Sequence, residues 1–282
     1  MKWERLLSIP ILAVFLLMGF VYYTTLFVSI EDWVGLQSSG GSFHALAFTF
    51  LASYSLFSFF VCVLTDPGHV PSSYVPDVED RELSDQEFRR NVTHQRKCEI
   101  CSTYKPRRCH HCRTCRRCVL RMDHHCRWIN NCVGYWNYKA FFILVLVATV
   151  ASIYSTILFI ACARQKDWEV WGQSHFKALY FSQVTCGISV LGLSITLGSL
   201  LCWHIYLMAN NMTTIEYYEA VRARWLARKS GQSYRHPFNL GVYRNVTSVL
   251  GPNMLKWLLP TAVSHLKDGI SFRIAHDTRQ TA

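Results

Sequence analysis

Residues 98–132 read CEICSTYKPRRCHHCRTCRRCVLRMDHHCRWINNC, and the reading of this stretch governs that of the whole chain. It holds eight of the 12 cysteines, with His110, His111, His124 and His125 among them. Cys98 and Cys101 form a CxxC pair. His111-Cys112-x2-Cys115-x2-Cys118 follows, then Asp123-His124-His125-Cys126, and Cys132 stands alone. Tetrahedral zinc sites take four Cys or His ligands at spacings of this kind. Repeated CxxC intervals in a basic segment point to metal in a reducing compartment and away from disulfides. Two such sites need eight ligands, so some of the cysteines and histidines are left over. A spare cysteine beside histidine and aspartate meets the needs of a nucleophile, which are a base in reach and a carboxylate to orient it. On the residues alone, either His124 or His125 can be that base.

Around this stretch the sequence is basic and polar. From Arg96 to Asn137 it sets ten Lys and Arg against Glu99 and Asp123. A unit so short and polar cannot build its own hydrophobic core, so metal must supply the folding energy. Outside it, the 282-residue chain is 51% hydrophobic with a formal charge of +11, and the two properties are segregated. Four apolar runs, Leu6–Val28, Ala45–Leu64, Phe141–Ala163 and Leu179–Met208, are long enough to cross a bilayer. None shows a polar face at helical period, which excludes core helices of a soluble bundle. The fourth, interrupted by Gly187, Gly192 and Gly198, is longer than a span requires, so it tilts or extends past the bilayer. Lys and Arg crowd the loop between the second and third runs and the tail after Asn210, whereas Ser29–His44 has Glu31 and Asp32 and no Lys or Arg. The positive-inside rule then puts both termini and the middle loop in the cytosol. The sequons at Asn91, Asn211 and Asn245 fall on that side and should carry no glycan.

The fold class expected is an α-helical polytopic membrane protein, with four transmembrane helices and a cytosolic zinc-binding cysteine-rich domain between spans 2 and 3. Its parts are residues 1–64 (spans 1 and 2), an irregular Pro-containing linker at 65–95, the cysteine-rich unit at 96–138, spans 3 and 4 at 139–209, and a cytosolic tail at 210–282, basic to Lys229 and polar at its end. Cys62, Cys162, Cys186 and Cys202, inside the apolar runs, read as small buried hydrophobes. Ala148, Ala151, Ser152 and Ser155 share one face of the third span, suited to close helix packing or to an open cavity floor. A nucleic-acid-binding finger is excluded by the missing late histidine pair and by tethering between spans. A RING scaffold would close on a CxxC pair where this chain has a lone Cys132. A metal transporter would need charge at mid-membrane.

Cys98–Phe141 resembles the cysteine-rich domain of the DHHC family of protein S-acyltransferases. The resemblance runs through CxxC, Lys105-Pro106-x-Arg108, the HC-x2-C-x2-C run, DHHC, Trp128, Asn131-Cys132, Gly134, Asn137 and Phe141. Asp66-Pro67-Gly68, Thr213-Thr214-x-Glu216 and Pro237-Phe238-x2-Gly241 leading to Asn245 extend it along the chain to about residue 250. Arg127 departs from it, standing where many members have proline. The resemblance implies one structural zinc on Cys98, Cys101, His111 and Cys118 and a second on Cys112, Cys115, His125 and Cys132. It leaves Cys126 as nucleophile, His124 as base, Asp123 to orient that base and Thr214 to hydrogen-bond Asp123, with Asn245 in a supporting role in the tail. It further implies acyl-CoA, palmitoyl-CoA above all, as co-substrate and two-step acyl transfer to membrane-proximal cysteines of substrate proteins. The setting implied is the cytosolic face of the Golgi, endoplasmic reticulum or plasma membrane. Trp128 and Phe141 would border the acyl chain at the bilayer surface. Lys105 and Arg108, with Arg107 and Arg113, would face CoA phosphates or anionic lipid. No nucleic-acid partner is implied.

Overall fold

The computed structural model describes residues 4–76, 97–165 and 174–275. The second half of the linker, with the Asn91 sequon, lies outside them. Among the described residues, four helices are long and apolar enough to cross a membrane: Ile9–Trp33, Ser39–Leu64, Tyr138–Gln165 and Phe181–Ala209. We label the α-helices α1 (Ile9–Tyr23), α2 (Ser39–Leu64), α3 (Tyr138–Gln165), α4 (Ser174–Ala209), α5 (Thr214–Lys229) and α6 (Val242–Leu250). Pro10 sits in the first turn of α1, where its missing N–H costs nothing. At 36 residues, α4 is about 54 Å long, well beyond the ~30 Å hydrocarbon core. The first span runs past the expected Val28 because the chain widens into a π-helix over Thr24–Ile30 and continues to Trp33. The Thr24 and Thr25 hydroxyls donate back to the Phe20 and Val21 carbonyls, the competition that loosens an α-helical ladder.

Contacts divide the chain into two compact units, Met1–Val63 with Ala140–His204, and Leu64–Lys139 with Ile205–Ala282. In the first, polar side chains pair between helices: Thr25 with Ser155 at 2.6 Å, Tyr22 with Thr49 at 3.0 Å and Thr156 with Ser194 at 2.9 Å. The small-residue face of α3 is largely covered. Ala151 lies against Leu26 and Phe48, and Ser152 and Ser155 are buried. Cys62 and Cys162 are buried as expected of small hydrophobes, but Cys202 is exposed on α4, on a surface whose leucines and isoleucines are also outward.

The second unit is built on two short hairpins. β1 (His110–Cys112) pairs with β2 (Arg117–Val119), and β3 (His124–Cys126) pairs with β4 (Asn131–Val133), both antiparallel. They are copies in sequence: His-His-Cys-Arg-x4-Cys-Val starts at His110 and again at His124, fourteen residues on (124 − 110). Each turn closes on a left-handed residue, Arg116 (φ 52°) in one and Asn130 (φ 45°) in the other. The core between them is small, and much of it is cysteine. Cys112, Val119, Met122 and Cys132 form one cluster with Ile215 of α5 against it, while Cys98, Cys109 and Cys118 form another with Val70.

The segment leaving α2 is tied to these hairpins. Asp66 accepts from the Gly68 amide (2.8 Å) and from Arg117 (2.7 Å), the Pro67 carbonyl accepts from Trp136, and Asn131 donates to the Thr65 carbonyl (2.9 Å). The approach leaves no room at Gly134, where a Cβ would stand 2.8 Å from the Pro67 carbonyl oxygen and 3.0 Å from that of Leu120. Backbone on two sides cannot move aside cheaply. Gly134→Ala is therefore expected to destabilise the unit by about 1–3 kcal/mol, the usual scale of overpacking, read as a lower unfolding temperature of the purified protein.

The candidate active site

Both zinc-ligand sets come together. Cys98, Cys101, His111 and Cys118 form one group and Cys112, Cys115, His125 and Cys132 another, each with ligand atoms within 4.8 Å of one another. The hairpins explain the pairing. Cross-strand partners His111 and Cys118 face the CxxC that precedes them, and His125 and Cys132 face the CxxC of the first hairpin's turn. The sulfur-to-nitrogen distances are 3.5, 3.2 and 3.9 Å around His111 and 3.6, 3.4 and 3.6 Å around His125. A tetrahedral ion with Zn–S near 2.3 Å and Zn–N near 2.0–2.1 Å has such edges at about 3.6 Å. The Cys3His donor sets and their spacing fit zinc.

Two cysteines of the unit stand outside these groups, and their surroundings differ. Cys109 is 6% exposed, and burial pushes its thiol up to about 12, which makes it inert. Cys126 is also buried, and burial disfavours its thiolate, yet a hydrogen bond and the charge of His124, with backbone N–H groups of Ile129 and Trp128, bring the thiol below its ordinary value. The first hairpin shows the same turn geometry, since the Cys115 amide donates to Cys112 Sγ at 3.3 Å. His124 holds Asp123 through Nδ1 at 2.7 Å. Burial works against its imidazolium, but the Asp123 and Cys126 bonds outweigh it and raise His124 to about 9. Asp123 is fully buried and receives both the Thr214 amide and the Thr214 hydroxyl at 2.9 Å.

Thr214 is delivered by the start of α5. Thr213 is its N-cap, with a reciprocal capping box: Glu216 N donates to Thr213 Oγ1 (3.2 Å) and Thr213 N to Glu216 Oε2 (2.9 Å). Glu216 also accepts two bonds from Arg108, at 2.6 and 2.7 Å, in a pair whose side chains are 1% and 7% exposed. Arg108 gives its other bonds to the Asn211 side chain and carbonyl and stacks on Phe238. Its donors are committed inside the fold, which corrects the expectation that it faces a CoA phosphate. Lys105 is only half-buried. Asn245 donates to the Ala209 carbonyl (2.7 Å) and to Asn239, fixing the tail to the end of α4. Trp128 is 62% exposed in the β3–β4 turn, whereas Phe141, in the first turn of α3, is buried against His204.

Lys139 has no counterpart in the sequence reading. It is 2% exposed, and its ammonium donates to the carbonyls of Leu250, Lys256 and Ala262 at 2.8–2.9 Å.

Residues 91–221 match the family model described as DHHC palmitoyltransferase. The chain is 63% identical to "Probable protein S-acyltransferase 15" of Arabidopsis thaliana over 93% of its own length and 100% of the relative's. The chain belongs to the DHHC palmitoyltransferase family. It is likewise 48% identical to "Probable protein S-acyltransferase 16" of the same plant, over 96% of this chain and 94% of that one. Against "Palmitoyltransferase ZDHHC2" of Danio rerio it is 29% identical, over 96% and 77%. In a DHHC enzyme whose small core is largely cysteine, zinc held by these two groups would supply folding energy, since apparent zinc-binding energies of about 10–16 kcal/mol are folding energy in such units. Cys112→Ser is expected to lower zinc per chain, as measured by atomic emission, together with expression and unfolding temperature. Full zinc content in the purified variant would remove Cys112 from the ligand set.

Proposed function

We propose that the chain is a protein S-acyltransferase that moves a fatty acyl group, palmitoyl above all, from acyl-CoA to cysteines of other proteins through an acyl-Cys126 intermediate. The observation that carries this is the cysteine left outside both four-ligand groups and bonded to a histidine whose far nitrogen is held by a buried aspartate. His124 takes the Cys126 proton, and the thiolate attacks the thioester carbonyl. The new S–C bond forms as the bond to CoA breaks, and the CoA sulfur leaves with the proton carried by His124. A substrate cysteine then gives its proton to His124, attacks the acyl carbonyl and takes the chain, and Cys126 recovers its proton. One thioester replaces another, so no ATP is needed. Zinc serves structure here, since four protein ligands fill each of its sites.

The basic middle loop and tail support a cytosolic placement of this chemistry, on the Golgi, endoplasmic reticulum or plasma membrane. Membrane-proximal cysteines are then the accessible substrates. Lys105, with Arg107 and Arg113, supplies positive charge for CoA phosphates, and Trp128 is an exposed ring for the acyl chain or the bilayer surface.

Incubation of the purified chain with labelled palmitoyl-CoA should give hydroxylamine-sensitive label on Cys126. Cys126→Ala should lose that label and all transfer while keeping its zinc; persistent labelling at the normal rate would overturn the assignment.

Thr214→Val removes one charge-assisted bond to Asp123, of about 1.5 kcal/mol, and leaves the backbone bond. Self-acylation should slow about tenfold, with zinc content and unfolding temperature unchanged, as followed by single-turnover labelling.

A further inference from the structure

The tail carries an apolar segment in a place where the sequence reads as polar. Met254-Leu255-Lys256-Trp257-Leu258-Leu259, between Pro252 and Pro260, leaves Met254 60%, Leu255 91%, Leu258 56% and Leu259 48% exposed. A water-facing surface rarely gathers four large aliphatic side chains into six residues. Asn253 caps the turn by accepting from the Leu255 amide at 2.9 Å, so the exposure belongs to a formed element.

Two anchors fix where this segment sits. Lys139, in the first turn of α3, grips the carbonyls of Leu250, Lys256 and Ala262. Asn245, at the near end of the same stretch, is bonded to the carbonyl of Ala209, the last residue of α4. The start of α3 and the end of α4 lie on one side of a bilayer, because the chain crosses and returns between them. The segment is therefore held where two spans leave the hydrocarbon, in the zone that interfacial helices occupy. Its composition suits that zone. Trp257 has its Nε1 satisfied by the Gly251 carbonyl at 2.8 Å and presents an otherwise apolar ring, and the exposed Lys256 stands among leucines at headgroup level.

We propose that Met254–Leu259 is a membrane foot, inserted into the headgroup–acyl boundary of the leaflet at which α3 begins and α4 ends, with phospholipid as its occupant. The foot is in the same compact unit as Cys126, so its insertion sets the height of the reacting thiol over the bilayer.

The test uses the unmodified full chain in vesicles of phosphatidylcholine and phosphatidylserine. A small share of the phosphatidylcholine carries a photoactivated diazirine near the ester end of its acyl chain. After illumination, adducts are mapped by peptide mass spectrometry. Label is expected on 254–259 as well as on the outward residues Leu46 and Phe50 of α2, with none on exposed Ser233. Leu255→Asp with Leu258→Asp should lose the adduct at the foot and keep it on α2. Label on α2 without label on 254–259 overturns the proposal. So does a segment covered by protein, seen as protein–protein adducts when a benzophenone amino acid replaces Leu255.

Discussion

The constraint on which the hairpin unit rests is that its metal ligands interleave. Neither hairpin binds a metal alone. Each supplies the His and Cys of one site and depends on a CxxC from the segment before it. Cys98 and Cys101 complete the group around His111, and Cys112 and Cys115 complete the group around His125. Removing one ligand of the second group therefore loosens two hairpins together, and removing one of the first frees the first hairpin from the segment before it. The strand pairs are three residues long, far below what stands alone in water, and the apolar clusters between them consist largely of the ligands themselves.

A second dependence runs through the start of α5. The carboxylate of Glu216 closes the capping box with Thr213 and neutralises the buried guanidinium of Arg108, so one side chain fixes both the helix end and the segment leading into the first hairpin. The next residue after the cap, Thr214, then reaches Asp123. Asn211, in a left-handed conformation (φ 49°) between α4 and α5, accepts from Arg108 and donates to the Phe238 carbonyl. Asn211 and Asn245 are both sequon residues, and both have buried, bonded amides. Packing alone denies them a glycan, whatever side of the membrane they face.

The four spans were legible because each obeys a local rule, a run of about 20 apolar residues; cysteines at short intervals announced metal, while the division of the ligands into two groups came from the family resemblance. Sequence reasoning failed where a side chain's role is set by distant backbone. Lys139 looks like a solvated cation at a helix start, yet its partners lie more than a hundred residues away in the tail. Arg108 belongs to a basic run and looked free for phosphate, since nothing near it in sequence announces Glu216. The apolar foot was passed over as part of a polar tail because six residues are too few to register as a span or a periodic helix. One signal was present and unread: the fourteen-residue repeat, which pairs Cys112 with Cys126 by position and marks them as the same structural site.

That repeat bears on the sulfur itself. A knuckle of this kind hands its first cysteine forward to the next hairpin's metal, and after the second hairpin there is no further hairpin to receive it. Cys126 keeps the local backbone of a metal-binding turn, with amides directed at the sulfur, and in the proposed reaction it takes a proton or an acyl group where Cys112 would take zinc. The bonds that bring the thiol below its ordinary value also make the sulfur a better leaving group, so in the proposed transfer one setting would serve both attack and release. Thioester exchange with almost no net driving force asks for that balance. A more basic thiolate would capture the acyl chain and hold it.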